Sequence, residues 1–296
     1  MKKFNVKNIL VPYDFSKTAE IALNKAAFIA QQTKANLILT HISKVSDLVD
    51  LFLLEIKASK GKALNEFIEK KLSEVADSIT AKYKCKVVTY HQQGSIASEI
   101  IDAADFHHAD LIIMGTKGKD SNSDLFLGSN AYRVITKSDV PVMTITADNK
   151  VNGFNSILLP IDLSDHTRQK VNYAVELAKV FNSKITALAI YTSNEKELKY
   201  KLEVILSQIA KKCASSKVEV ETRIEKTAHR ISKTLSVAKR VKADLIISMT
   251  DEKMEGSKKW LSTYDHELVN NSKIPVISMQ PEVNNEFTTE GTMLPY

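Results

Sequence analysis

Two cysteines in 296 residues, Cys85 and Cys213, stand far apart with neither a C-x-x-C nor a Cys/His spacing. That scarcity excludes a disulfide framework and a thiolate zinc site, and leaves both thiols without an expected role. His107 and His108 have no Cys or carboxylate at ligand spacing, so no metal is expected there. Long apolar runs are missing as well: nothing approaches the ~18 residues a membrane helix requires. The opening "MKKFNVKNILVPYDFS" passes from two lysines straight into a strand pattern, without the apolar core and cleavage site of a secretory leader. A cytoplasmic location is therefore expected. The net charge of +6 divides as 19 basic against 16 acidic residues in 1–147 and 22 against 19 in the remainder. No Lys/Arg stripe interleaved with aromatics accompanies it, so neither nucleic acid nor membrane is an expected partner. Glycine is scarce too, at eight residues.

What is present is written twice. "NILVPYDFSKTAEIALNKAAFIAQQTKANLILTHI" (8–42) aligns without gaps with "SILLPIDLSDHTRQKVNYAVELAKVFNSKITALAI" (156–190). Pro12 matches Pro160, Asp14 matches Asp162 and Ser16 matches Ser164. "ADLIIMGTKG" (109–118) matches "ADLIISMTDE" (243–252), and "VPVMTI" (140–145) matches "IPVISM" (274–279). Matched blocks in the same order mark a duplicated domain. The expected division is 1–148, 154–281 and a polar tail over 282–296, joined through the polar "TADNKVNGFNS".

Within the first copy the pattern predicts strands over 9–12, 37–42, 86–90, 111–114 and 142–145, nearly continuous apolar runs suited to a parallel sheet buried on both faces. Between them Leu64, Phe67, Ile68, Leu72, Val75 and Ile79 recur at helical spacing, as do Leu198, Leu202, Ile205 and Ile209 in the second copy. Strand and helix in alternation imply an α/β fold of two tandem doubly wound parallel-sheet, Rossmann-like domains. Ligands of such sheets sit outside the carboxyl ends of the strands. That rule selects "PYDFS" after the first strand and the glycine stretch after the fourth.

Three of the eight glycines fall in "MGTKGKDSNSDLFLGSN" (114–130), at Gly115, Gly118 and Gly128. Main chain without Cβ can approach a ligand closely, and the first amides of the following helix are unpaired donors at the positive end of its dipole. Ser129 adds a hydroxyl where a cap or phosphate contact is expected. The stretch is a phosphate cradle in kind, though neither a Walker A loop nor a G-x-G-x-x-G fingerprint. Asp120 and Asp124 in the loop could meet a phosphate-bound Mg²⁺ or face water, and Lys117 and Lys119 could offset phosphate charge.

The spacing G-x2-G-x9-G-[ST], after an "ADLIIMG" strand and before "PVMTI", together with "ILVPYDFS", resembles the ATP-binding branch of the universal stress protein family as a tandem pair. The resemblance implies that the glycine motif wraps the phosphates and ribose of ATP. It implies that Asp14 holds the adenine or ribose edge and that Ile42 lines the adenine pocket. The implied nucleotide residues are Pro12, Asp14, Ile42, Met114, Gly115, Gly118, Gly128, Ser129 and Asn130. It also implies that the fifth strands pair across a twofold, joining the halves as an intramolecular pseudo-dimer.

The second copy has Met249, Glu252, Ser262 and Thr263 where the first has Gly115, Gly118, Gly128 and Ser129. Asp251 and Glu252 would face a polyanion, each repulsion costing about 1 kcal/mol at ~4 Å in water and more when desolvated. One ATP per chain, with Mg²⁺, is thus expected in the first half alone. The expected function is a nucleotide-responsive regulatory or protective factor in a stress response, with protein partners unidentified and a homodimer possible. The rivals are a slow ATPase or adenylyl-handling enzyme and a nucleotide-free dimerisation scaffold. The apolar segment 46–62 is expected to pack on the other domain, with a lid over the nucleotide or a partner-docking helix as the alternatives, and Trp260 to fill part of the second crevice.

Overall fold

The computed structural model describes residues 4–43, 59–116, 127–147, 153–164, 166–192, 196–250, 253–255 and 258–281. Gly118, the loop residues Lys117, Lys119, Asp120 and Asp124, most of the 46–62 segment, Asp251, Glu252, the Trp260 side chain and the 282–296 tail lie outside the described residues.

The first copy runs β1 (Asn8–Pro12), α1 (Lys17–Thr33), β2 (Asn36–Ser43), α2 (Ser59–Tyr83), β3 (Val87–Gln93), α3 (Ile96–Phe106), β4 (Leu111–Gly115), α4 (Ser129–Lys137) and β5 (Val142–Ile145). The second runs β6 (Ser156–Ile161), α5 (Thr167–Phe181), β7 (Lys184–Tyr191), α6 (Lys196–Ser215), β8 (Val220–Lys226), α7 (Arg230–Arg240) and β9 (Leu245–Met249). A small hairpin of β10 (Lys253–Glu255) and β11 (Lys258–Trp260) follows, then α8 (Thr263–Asn271) and β12 (Val276–Met279). The expected strands are all present, β5 with the expected bounds, β1, β2 and β4 a residue longer at one or both ends, and β3 shifted toward Gln93.

Ten strands form one sheet in the order β3-β2-β1-β4-β5-β12-β9-β6-β7-β8. Within this sheet every pairing inside a half is parallel, and the halves meet where β5 and β12 run antiparallel, Val142 opposite Ser278 and Thr144 opposite Val276. What would be an open edge in each half is thereby paired. Alternation along each strand feeds two layers. Ile9 and Val11 face a core with α1, α2, α5 and α6. Leu10 and Ile112 face a core with α3, α4, α7 and α8.

Local chemistry sets the helix ends. Ser16 caps α1 by accepting the Ala19 amide, and Lys34 in the left-handed region ends it. Asn182 ends α5 the same way at the matching position. Along α2 the helical spacing holds for Ile68, Leu72 and Ile79, which are buried, but Phe67 is 57% exposed. Its ring lies under the Lys71 ammonium, 5.9 Å from the ring centroid, instead of entering the core.

The seam carries aromatic packing as well as strand pairing. Phe4 meets Tyr173 edge-on at 5.3 Å, and Phe181 stacks with Phe28 and meets Phe154. Asp110 accepts the Lys7 and Asn8 amides, and Asp244 accepts the Asn155 and Ser156 amides. These two aspartates therefore have the same structural task in each half.

Candidate functional site

Strand β1 leads to β2 on one side of the sheet and lies beside β4 on the other. This is where the order reverses, the crevice in which doubly wound sheets take ligands. Pro12 ends β1 and Asp14 stands in the turn beyond it; Ile42 lies near the end of β2; Met114 and Gly115 end β4; Gly128, Ser129 and Asn130 open α4. All of these line the carboxyl edge of β1, β2 and β4. Met114 is buried against the α3 and α4 layer, while Ser129 is exposed.

The two ends of the glycine loop are tied together. Thr116 donates its amide to Ile145 O at 2.9 Å, and its own carbonyl accepts the Gly128 amide at 2.8 Å. Gly128, not Ser129, is the N-cap of α4, with φ −61° and ψ 143°. The serine stands one residue too late to cap, because the chain has already entered helical geometry. A glycine cap has no side chain to accept an amide, and the first turn of α4 carries no acidic residue. Its leading amides thus form a positive helix end to which the helix supplies no anion.

The matching place in the second copy is closed from within. Ser262 caps α8, its hydroxyl accepting the Asp265 amide at 3.2 Å. The buried Asp265 carboxylate takes the Ser262 hydroxyl at 2.5 Å and the Ser248 hydroxyl, from β9, at 2.7 Å. The first copy has Gly128, Ala131 and Met114 at these three positions. A protein carboxylate therefore sits at the α8 N-terminus, whereas among the described residues α4 has neither a side-chain cap nor an acid in its first turn.

The two turn aspartates differ in the same direction. Each accepts the serine amide two residues on, Asp14 from Ser16 at 3.0 Å and Asp162 from Ser164 at 2.9 Å. Asp162 is further held by the Ser164 and Thr167 hydroxyls, both at 2.6 Å, and by Lys170 at 3.9 Å. Burial raises its carboxyl, but the Lys170 charge and the hydroxyl and amide donors outweigh burial and bring it down to about 2. The residues matching Thr167 and Lys170 in the first copy are Ala19 and Ala22.

Sequence reasoning places His41 near the pocket but sets it aside as packed and hydrogen-bonded, and does not single out Tyr13, Phe15 or His91. Phe15 has φ 60°, a left-handed conformation that costs a bulky residue energy. Its ring meets Tyr13 and His41, both at 5.1 Å between centroids. His41 Nδ1 lies 2.8 Å from Tyr13 O, and His91, bonded to Ser43 at 2.9 Å, sits 5.6 Å from the His41 ring. Burial first, and then the His41 charge, lower the His91 pKa. The only sequence signal was position: His41 adjoins Ile42 at the strand end. Among the described residues no cluster of three or more His, Cys, Asp or Glu could hold a metal, and no helix is long and apolar enough to cross a membrane. Both cysteines are buried and free, their thiols raised by burial, Cys213 to about 11.

Residues 5–146 and again 153–278 match the Universal stress protein family. The universal stress protein MJ0577 of Methanocaldococcus jannaschii is 30% identical over 159 residues, covering 48% of this chain and 96% of that protein. The crystal structure of a universal stress protein from Archaeoglobus fulgidus superposes with a TM-score of 0.76 at 20% identity, covering 94% of this chain and 99% of that one. That likeness concerns the fold across both halves. A universal stress protein solved in complex with cAMP is 20% identical and covers 48% of this chain and 98% of its own, with a TM-score of 0.37.

Proposed function

We propose, from the premise that this chain belongs to the universal stress protein family in both of its halves, that its first half binds ATP with Mg²⁺ and its second half does not. The domains are 1–148 and 154–281, and the protein acts in the cytoplasm as a nucleotide-responsive regulatory or protective factor. Binding, not turnover, is its activity.

The observation that carries this reading is the contrast between the two helix N-termini. α4 begins at a glycine cap with no acid in its first turn. α8 begins at a serine cap with Asp265 folded onto it. The residues at the first site fit a polyanion, since amides at a positive helix end attract phosphate and the Gly128 cap carries no side chain of its own. The triphosphate brings the negative charge; Gly115, Gly128, Ser129 and Asn130 bind and orient it, while Gly118 belongs to the same proposal by its place in the motif. Pro12, Asp14, Ile42 and Met114 take the adenosine end. At the positions of Thr167 and Lys170, which hold Asp162, the first copy has Ala19 and Ala22.

Mass spectrometry of small molecules released by heating the purified protein tests the ligand, with an adenine nucleotide expected at about one per chain. Phosphate release under excess ATP and Mg²⁺ tests the activity. Sustained turnover at about 1 s⁻¹ or faster, in the ordinary enzyme range, would make the protein an enzyme instead.

A further inference from the structure

The second copy has lost nucleotide residues, yet it grips the helix that opens on the proposed site. Asn270, on α8, accepts the Leu127 amide through Oδ1 at 2.6 Å, across 143 residues of sequence. Leu127 is the residue immediately before the Gly128 cap. The next amide, of Gly128, goes to Thr116 within the first half. The last two main-chain donors before α4 are therefore fixed by opposite halves of the molecule. Further along, the Tyr132 and His266 rings meet edge-on at 5.6 Å. Gln280 donates to the Ile135 and Thr136 carbonyls at 3.0 and 2.7 Å, closing the far end of α4.

The grip is unequal. The residue matching Asn270 in the first copy is Thr136, and the one matching Gln280 is Thr146. Thr136 turns its hydroxyl back to the Tyr132 and Arg133 carbonyls of its own helix. Thr146 reaches Lys273 O at only 3.4 Å. Longer amide side chains stand on the half with the closed site and point toward the half with the open one. A pairing serving cohesion alone would gain equally from either direction.

We infer that Asn270 is a positioning residue for the first half's nucleotide site: by holding the Leu127 amide it fixes where the chain enters the Gly128 cap, so that the α4 amides are aimed before ligand arrives. The inference rests on the ATP reading above. Preorganised donors bind better than donors that must be ordered on binding, so loss of the tether is read as loss of affinity.

The test is calorimetric titration of ATP and Mg²⁺ into the full chain, with amide hydrogen exchange followed at Leu127. Asn270→Ala binds about five- to tenfold more weakly than the unmodified protein, and its Leu127 amide exchanges faster. Asn271→Ala, one residue on, where among the described residues the side chain bonds only Glu267 O of its own helix, changes neither. Thermal melting shows that both variants are folded at the temperature of titration. Undiminished affinity in Asn270→Ala, with the unmodified protein binding ATP, overturns the inference and leaves the ATP reading standing. An unmodified protein that takes up no ATP overturns the reading itself, and the inference falls with it.

Discussion

Asp14 and Asp162 stand in the same turn of the two copies with different neighbours. Asp162 is saturated by Ser164, Thr167 and Lys170 and is part of the framework of its half. Its carboxyl is drawn from the ordinary 3.8 to about 2. Because the folded value lies below the unfolded one, its contribution of about 2 kcal/mol is present above pH ~4 and is lost as the pH falls toward 2. Asp162→Asn should therefore be less stable than the unmodified protein by about 2 kcal/mol at neutral pH, the hydroxyl, amide and ammonium groups around Asp162 losing their charged acceptor. Denaturant unfolding should show that gap closing between pH 4 and 2; a gap of the same size at pH 2 would contradict the assignment. The pairing of Asp14 with Asp162 was plain in the aligned repeat. Their difference was not, because it depends on Thr167 and Lys170 one helical turn and two turns away, whose matches Ala19 and Ala22 look like ordinary core alanines.

At the scale of elements, the instructive pair is α4 and α8. Each starts at the same point of the repeat, and only the second is capped by its own side chains. Asp265→Ala removes acceptors for the Ser248 and Ser262 hydroxyls in a buried place. It should cost about 2 kcal/mol in unfolding free energy, while ATP affinity, measured in the same preparation, stays within about twofold. A large loss of affinity with no loss of stability would place the nucleotide in the wrong half. The strands of this fold were legible from sequence because each is a continuous apolar run, and the duplication removed doubt about their order. The β5 to β12 seam was expected from the family resemblance and is present. Three features were not legible. Phe67 matched the apolar spacing of α2 yet faces out, since periodicity marks a stripe without fixing its edge. The cap fell on Gly128 because a helix start is set by backbone geometry that sequence places only to within a residue or two. Asp265 escaped notice because its match is Ala131, and a self-closing carboxylate is recognised only once Ser248 and Ser262 are seen around it.

The whole molecule is a fused pair with a shared sheet and a shared aromatic seam, and its charge placement carries a cost. Lys25, 4% exposed, lies over the Phe154 ring at 4.8 Å from the centroid, on α1 where it reaches the other half. Burial lowers its pKa from 10.5 to about 8, opposed by the charge of Asp244. Between those values the unfolded chain binds more protons than the folded one, so stability contributed at this site rises with pH. Lys25→Met should stabilise the protein at pH 7 by about 2 kcal/mol, with the advantage fading between pH 8 and 10.5; a gap that widens over that range would reverse the sign of the argument. The central claim is functional asymmetry: two copies of one fold, one open to a polyanion and one closed by its own carboxylate. Calorimetric titration of ATP and Mg²⁺ into the full chain and into Gly128→Val tests it most directly. The account predicts one site per chain, abolished in the variant because a valine Cβ and its methyls stand where the α4 amides must meet phosphate. Two sites per chain, or undiminished binding by Gly128→Val, would contradict it.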